Sequence, residues 1–405
     1  MRSAIAQLPA SRIREVANAG LGRTDVLAFW FGESDEVTPA AIRDAAATSL
    51  ARGETFYAHN LGLPELRDAL AAYTSRLHRP LGADRIAITS SGVTALMIAM
   101  QMLAGAGDEV VVVVPVWPNL TAQPAILGAT VKPVALVPDA TGAWRLDLPR
   151  LLDTVTPATR VLLLNAPNNP TGWSLTRAEQ QAILDHCRRT GTWIVADEVY
   201  ERIWFGVGRA APSFSETGRL AAPSFSETGR LAAPSFLDIA EPDDRLIVAH
   251  SFSKTFLMTG WRLGWLVLPS GHLDAIGKLI EFNSSCAPVF VQRAGLAALA
   301  IADDFVPGLV ERLRGCRDLL VGGLQSMPRV KLALPPGGMY AFFQVEGQTD
   351  SLAYAKHLVA VHGLGLAPGV AFGAQAEGWL RWCFATQDPA RLRQGLERLE
   401  RALTL

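Results

Sequence analysis

Between about residues 85 and 270, short apolar runs alternate with helical patterns. That alternation restricts the fold more than any other feature of the chain. The runs are Ile86-Ala87-Ile88-Thr89, Val110 to Val114, Val161-Leu162-Leu163-Leu164, Trp193-Ile194-Val195-Ala196, Leu246-Ile247-Val248-Ala249 and Trp265-Leu266-Val267-Leu268. Each is strand-sized, and each is apolar at consecutive positions, hence on both faces of the pleat. Strands of that kind must be covered on both sides, which means a mainly parallel α/β sheet. Helical stretches such as Val93 to Leu103 and Arg177 to Thr190 can supply the cover.

After residue 300 the texture changes. Asp303 to Met327 reads as one long helix, with Pro307 a candidate break. Shorter strands follow, among them Met339-Tyr340-Ala341-Phe342-Phe343 and Leu380 to Phe384. The expected division is a large α/β domain over residues 51–300 and a smaller α+β domain over 301–405. Residues 1–50 form an N-terminal arm and part of the small domain.

The chain of 405 residues is long enough for two such cores. Its 37 basic and 38 acidic residues nearly cancel and form no basic stripe, which argues against a nucleic-acid partner. Cys187, Cys286, Cys316 and Cys383 lie far apart, as reduced thiols of a cytoplasmic protein would. The histidines show no zinc-binding spacing, so no metal site is expected. No apolar run approaches a membrane span. One segment is unusual. Ala211 to Ala221 is repeated without change as Ala222 to Ala232, and a third, partial copy begins Ala233-Pro234-Ser235-Phe236. Identity of this kind indicates a recent tandem duplication or an artefact of cloning. The Ser, Thr, Gly and Pro content of the 211–232 insert suits an exposed loop.

Lys254 follows the run Leu246 to Ala249, within Ser251-Phe252-Ser253-Lys254. A partly desolvated amine among small hydroxyl residues suits a lysine that reacts with an aldehyde; the plainer alternative is a solvated loop lysine. Ser251, Ser253 and Arg262 are candidate phosphate ligands. Together they point to pyridoxal phosphate, which needs an amine, an acid for its ring nitrogen, a phosphate cup and something to hold the ring. Asp197 ends a predicted strand, where α/β sheets bind ligands, although a helix cap or loop acid also fits. Tyr200 suits a bond to the ring's phenolic oxygen, or core packing. Ser90-Ser91-Gly92-Val93 precedes an apolar helix, as an anion site or as ordinary N-cap grammar. Trp117 suits ring stacking or the core, and Asn168-Asn169-Pro170-Thr171-Gly172 reads as a turn.

In order and spacing these segments resemble the class I/II aminotransferases of pyridoxal-phosphate fold type I. The resemblance spans nearly the whole chain. It includes Gly32-Glu33-Ser34-Asp35, Tyr57 with Gly62 to Arg67, Asn169-Pro170-Thr171-Gly172, Asp197-Glu198-Val199-Tyr200, Ser251-Phe252-Ser253-Lys254, Gly260-Trp261-Arg262-Leu263-Gly264 and Arg381. It implies Lys254 as the cofactor-linking lysine and proton shuttle, Asp197 as the ring-nitrogen acid, and Tyr200 and Asn169 as partners of the phenolic oxygen. It implies Ser91, Gly92, Val93, Ser251, Ser253 and Arg262 as the phosphate cup and Trp117 as the stacking ring. Arg381 and the Gly32 backbone, with Asn169, would grip the substrate α-carboxylate. Tyr57 would reach the phosphate of the other subunit of a homodimer. The implied activity is ping-pong transfer of an amino group from an L-amino acid to a 2-oxo acid.

Two departures stand out. The Tyr200–Lys254 spacing is about two repeat units longer than in the family. Val93 stands where some aspartate-specific relatives carry a lysine for the side-chain carboxylate, which favours a neutral or aromatic donor. Trp30, Phe31 and Tyr340 are candidates for an apolar substrate pocket or for the core. A β-lyase or cyclising synthase of the same fold is the nearest alternative activity. A non-catalytic regulatory domain that binds the cofactor is a more distant one.

Overall fold

The computed structural model describes residues 1–206 and 232–404. The duplicated insert, Ala211 to Ala232, therefore lies outside the described residues except for its last residue. Ala232 and Ala233 are buried, and the Ala233 N–H donates to the Glu201 carbonyl (2.8 Å).

The central sheet has seven strands: β1 (Ile86–Thr89), β2 (Glu109–Val114), β3 (Thr130–Ala135), β4 (Thr159–Asn165), β5 (Trp193–Asp197), β6 (Leu246–Ser251) and β7 (Gly264–Val267). Their spatial order is β1-β7-β6-β5-β4-β2-β3. All neighbours pair in parallel except β7, which runs antiparallel to both β1 and β6. Alternate residues feed two cores. Val111, Val113, Leu162, Leu164, Ile194 and Val248 face one. Val110, Val112, Val161, Leu163, Val195, Ile247 and Ala249 face the other. The sheet is thus covered on both faces, as its consecutive apolar residues require.

Six of these strands coincide with the apolar runs; β3 does not. It carries Lys132 and Pro133 and is largely solvent-facing. Pro133 is tolerated because β3 is an edge strand with a partner on one side only.

A second, antiparallel sheet comprises β8 (Val330–Lys331), β9 (Tyr340–Val345), β10 (Ala367–Pro368) and β11 (Trp379–Cys383), in the order β8-β9-β11-β10. The long helix preceding it spans Ala302–Gln325 and continues through Pro307. Pro307 lies near the helix start, so its missing N–H removes one bond, to the carbonyl of Asp303. The N-terminal segment divides between the two layers. Helix Arg12–Ala19 packs on helix Ser351–His362, and Leu27–Ala28 pairs in parallel with Leu364–Gly365. Helix Ala40–Ala51 packs instead on helix Val289–Ala300. Among the described residues no helix is long and apolar enough to cross a membrane.

Candidate active site

The parallel strands deliver their C-terminal residues to one edge of the sheet. Asn165 ends β4, Asp197 ends β5 and Ser251 ends β6. Asn165 and Asp197 are register partners. The Asn165 amide donates to the Asp197 carbonyl (3.0 Å), and its Oδ1 accepts from the Asn169 N–H (2.7 Å). The reversed strand β7 begins at this same edge, which brings Arg262 there through the preceding turn. Gly264 pairs with Thr89 and Ser251. A Cβ on Gly264 would lie 2.5 Å from the Gly92 nitrogen, so only glycine lets the chains approach this closely.

At this junction starts the helix Gly92–Leu103. Ser91 caps it in a positive-φ conformation (127°), its hydroxyl accepting from the Thr94 N–H (3.1 Å). Ser251 and Ser253 are hydrogen-bonded to each other (2.9 Å) beside it. Arg262, also at positive φ (57°), makes its one hydrogen bond among the described residues to the Thr259 carbonyl (2.6 Å). A helix N-terminus, two hydroxyls and a guanidinium form a cup for an anion.

Next to the cup is a cavity of about 280 Å³. Lys254 lies in its wall, and the amine donates to the Gly32 carbonyl (2.5 Å). Burial pushes its pKa down to about 8, with the Arg381 and Arg262 charges acting in the same direction. Asp197 accepts from the Val199 N–H (3.3 Å) and has no ion-pair partner among the described residues. Burial pushes its pKa up to about 7. Tyr200 is buried, with its hydroxyl 2.6 Å from that of Tyr340.

Arg381 is also buried. It donates to Asn169 Oδ1 (2.8 Å) and to the Trp30 carbonyl (2.5 Å), and its Nε–H has no partner. A buried, unsatisfied guanidinium N–H is costly unless a ligand accepts from it.

Of the residues singled out from the sequence, Gly32, Gly92, Val93, Trp117, Asn169, Asp197 and Tyr200 line the cavity. Ser251, Ser253, Lys254, Arg262 and Arg381 line it too. Ser91 lies just behind Gly92 and is buried. Tyr57 is outside the cavity and 89% exposed. Among the three aromatic pocket candidates, Phe31 and Tyr340 line the cavity. Trp30 does not: its ring packs where a Cβ on Gly365 would be (2.3 Å), and only its carbonyl faces Arg381. Ile13, Asn165 and Thr259 line the cavity without having been singled out. Nothing local marks them, since each comes from a different part of the chain.

A second polar cluster lies against the same loops. Glu198, Glu201 and His250 have potential ligand atoms within 4.8 Å of one another. The cluster's cation is His78, which donates to Glu201 (3.0 Å) and Asp238 (2.9 Å).

The cavity side chains fit one kind of ligand. A half-buried amine, a buried carboxylate and an anion cup around one cavity match a ligand with an aldehyde, a ring nitrogen and a phosphate. Pyridoxal phosphate has all three, and the protein is a pyridoxal-phosphate-dependent enzyme. Its family is equally plain: the chain belongs to the class I and II aminotransferases, whose pattern it matches over residues 25–399. It is 30% identical to an aspartate aminotransferase of Pyrococcus horikoshii over 397 residues, which cover 97% of this chain and 94% of that one. It is also 30% identical to an aromatic-amino-acid aminotransferase of Thermococcus litoralis, over 97% and 95% of the two chains. The crystal structure of an aspartate aminotransferase from Thermotoga maritima superposes with a TM-score of 0.87 at 28% identity, covering 100% of both chains. The protein is thus a transaminase that acts on amino acids and 2-oxo acids.

Proposed function

We propose that the enzyme transfers the amino group of a neutral or aromatic L-amino acid to a 2-oxo acid by a ping-pong mechanism. When bound, pyridoxal phosphate is linked to Lys254 and accommodates the electrons released at the substrate Cα. Asp197 keeps the ring nitrogen protonated. Tyr200 and the Asn169 side-chain amide donate to the phenolic oxygen, and Trp117 stacks on the ring. Ser91, Gly92, Val93, Ser251, Ser253 and Arg262 hold the phosphate. Arg381, with its unpartnered Nε–H, takes the α-carboxylate alongside Asn169 and the Gly32 backbone. Once the amino group of the donor has displaced Lys254 from that linkage, the freed amine would accept the Cα proton as general base and give it back as general acid, work worth about 10²- to 10⁴-fold. The oxo acid departs, and a second oxo acid receives the amino group.

The donor class rests on one observation. The cavity wall includes the apolar side chains of Ile13, Phe31 and Val93, and among the described residues the lysine and arginine side chains that line it are Lys254, Arg262 and Arg381. Each of these three already has a role, so none is spare for a second carboxylate. A panel of amino acids tested in the half-reaction, followed by cofactor absorbance, decides the matter. Neutral and aromatic donors are expected to react at least as fast as aspartate. Strong selectivity for aspartate would refute the reading of Val93.

The same reading extends to assembly and location. Tyr57 and Phe56 are 89% and 84% exposed, which supports a homodimer in which Tyr57 reaches the partner's phosphate cup. The division into a large domain (51–300), a small domain (301–405) and an N-terminal arm shared with the latter accords with the two separate sheets. The free cysteines support a cytoplasmic enzyme.

A further inference from the structure

Tyr340 opens strand β9, directly opposite Cys383 of β11. It is 1% exposed and meets three parts of the site at once. Its hydroxyl is 2.6 Å from that of Tyr200, the two rings meeting edge to face at 78°. The same hydroxyl fills the space beside Gly32, where a Cβ would come within 2.0 Å of it. Its ring lies 4.3 Å from the Arg381 guanidinium carbon, and Phe372 lies 4.8 Å from that carbon.

The hydroxyl pair contains two protons but has room for one between the oxygens. If Tyr200 donates to Tyr340, its proton is spent inside the protein. If Tyr340 donates to Tyr200, the Tyr200 proton is released to the cavity. Burial keeps both phenols neutral: the Tyr340 pKa is pushed up to about 12 and that of Tyr200 well above its ordinary value. Both protons are therefore present across the working pH range. An anionic oxygen in the cavity selects the second arrangement, because only that one offers it a donor. A hydrogen bond received from Tyr340 also polarises Tyr200 and strengthens the bond it donates.

We propose that Tyr340 is a positioning residue with two separable parts. Its hydroxyl directs the Tyr200 proton toward the cofactor's phenolic oxygen. Its ring, together with Phe372, holds the Arg381 guanidinium in the plane that receives the α-carboxylate. The inference rests on the roles proposed above for Tyr200 and Arg381.

The pH titration of the bound cofactor's absorbance tests the first part. A donor to the phenolic oxygen favours the form in which that oxygen carries its full negative charge, and so lowers the titration pKa. Tyr340→Phe deletes the hydroxyl and keeps the ring. It should move the titration up by about 0.3–0.5 pH unit and leave KM for the amino acid within about twofold. Tyr340→Leu removes the ring as well. It should give the same upward shift and raise KM about 3- to 10-fold, the value of a lost cation–π contact. Tyr200→Phe should shift the titration further upward, and adding Tyr340→Phe to it should change nothing more. A shift in Tyr200→Phe with none in Tyr340→Phe overturns the inference and leaves the Tyr200 assignment standing. No shift in Tyr200→Phe overturns that assignment and the inference with it. Additive shifts in the double variant would show that Tyr340 does not act through Tyr200. An equal rise in KM in the Phe and Leu variants would overturn the division between hydroxyl and ring.

Discussion

Two buried polar groups border the ends of β5 and β6, and they are built on opposite plans. Successive residues of β6 point to opposite faces, so Ser251 turns toward the anion cup while His250 turns the other way and stacks on Trp265 (4.9 Å). On the His250 side the carboxylates all have hydrogen-bond partners, and His250 Nε2 is the atom left without one. His78 joins Glu201 and Asp238, and Glu198 accepts from the Ser235 hydroxyl (2.5 Å) and the Phe236 N–H (3.2 Å). On the cavity side the charges are left short. Among the described residues Asp197 forms no ion pair, Lys254 donates only to a carbonyl, and Arg381 has an unused N–H. Asp197 and Arg381 are as deeply buried as Glu198, Glu201 and His250, so burial alone does not separate the two groups. The difference is satisfaction. The paired cluster ties the loop after β5 to helix Pro64–Leu77 and to residues 235–238, and the unsatisfied group is held ready for a ligand.

The largest expected effect lies in the paired cluster. Burial opposes a charge on His78, but the bonds to Asp238 and Glu201 outweigh it and raise its pKa to about 10. Stability from this raised pKa is fully present below the ordinary histidine value and is lost as pH rises through about 10. His78→Ala takes a bonded cation from two carboxylates, of which Asp238 keeps Arg177 (3.3 Å) and Glu201 the nearby Arg202 charge. The variant should cost about 3 kcal/mol in denaturant melts, the low end for a broken buried pair, while turnover per folded molecule stays close to wild type. It should also remove the stability lost between about pH 6.5 and 10. A small loss with no change in pH dependence would break the contrast.

Asp197→Asn should show the reverse. Turnover should fall about 10²- to 10³-fold, because the amide does not keep the ring nitrogen protonated. The cofactor-free protein should nevertheless gain stability. With its folded pKa raised to about 7, the Asp197 carboxyl costs stability as pH rises from the ordinary carboxylate range to about 7, and that loss persists above. At pH 8 the Asn variant should therefore be more stable by about 1–3 kcal/mol. A destabilised variant would mean that Asp197 is a structural acid after all.

The smallest effect is expected from deleting Ala211 to Ala232, which joins Ala210 to Ala233. Doubling a loop costs only about 0.6 kcal/mol, so melting and activity should stay close to wild type. The Ser235–Glu198 and Asp238–His78 anchors lie beyond the deletion and should hold the paired cluster intact. A collapse of soluble expression would show that the insert supports it.

The contrast also explains what could be read from the chain. The six covered strands were legible because their residues are apolar on both faces; β3 was not, because an edge strand needs no such pattern. Lys254, Asp197 and Arg262 stand out in the sequence because each lies in a short segment whose chemistry is local, and all three line the cavity. Tyr340 and Asn165 bond to partners distant in sequence, the Tyr200 hydroxyl and the Asp197 carbonyl. His78 is a single histidine between Leu77 and Arg79, and only the folded chain brings two acids to it. Trp30 was open between pocket and core, and the crowding beside Gly365 places it in the core.

The last, partial copy of the repeat is docked on the fold. Its Ser235 and Phe236 are buried against the β5 loop, and Leu237 and Asp238, which follow, belong to no other copy. Whole units can be gained or lost upstream without changing the identity of any anchored residue. In the gene, a gain or loss of whole eleven-residue units is a change in steps of thirty-three bases, which preserves the reading frame and every anchored residue. Alleles of different length would then be interchangeable to selection, and copy number could drift as a neutral marker of lineage.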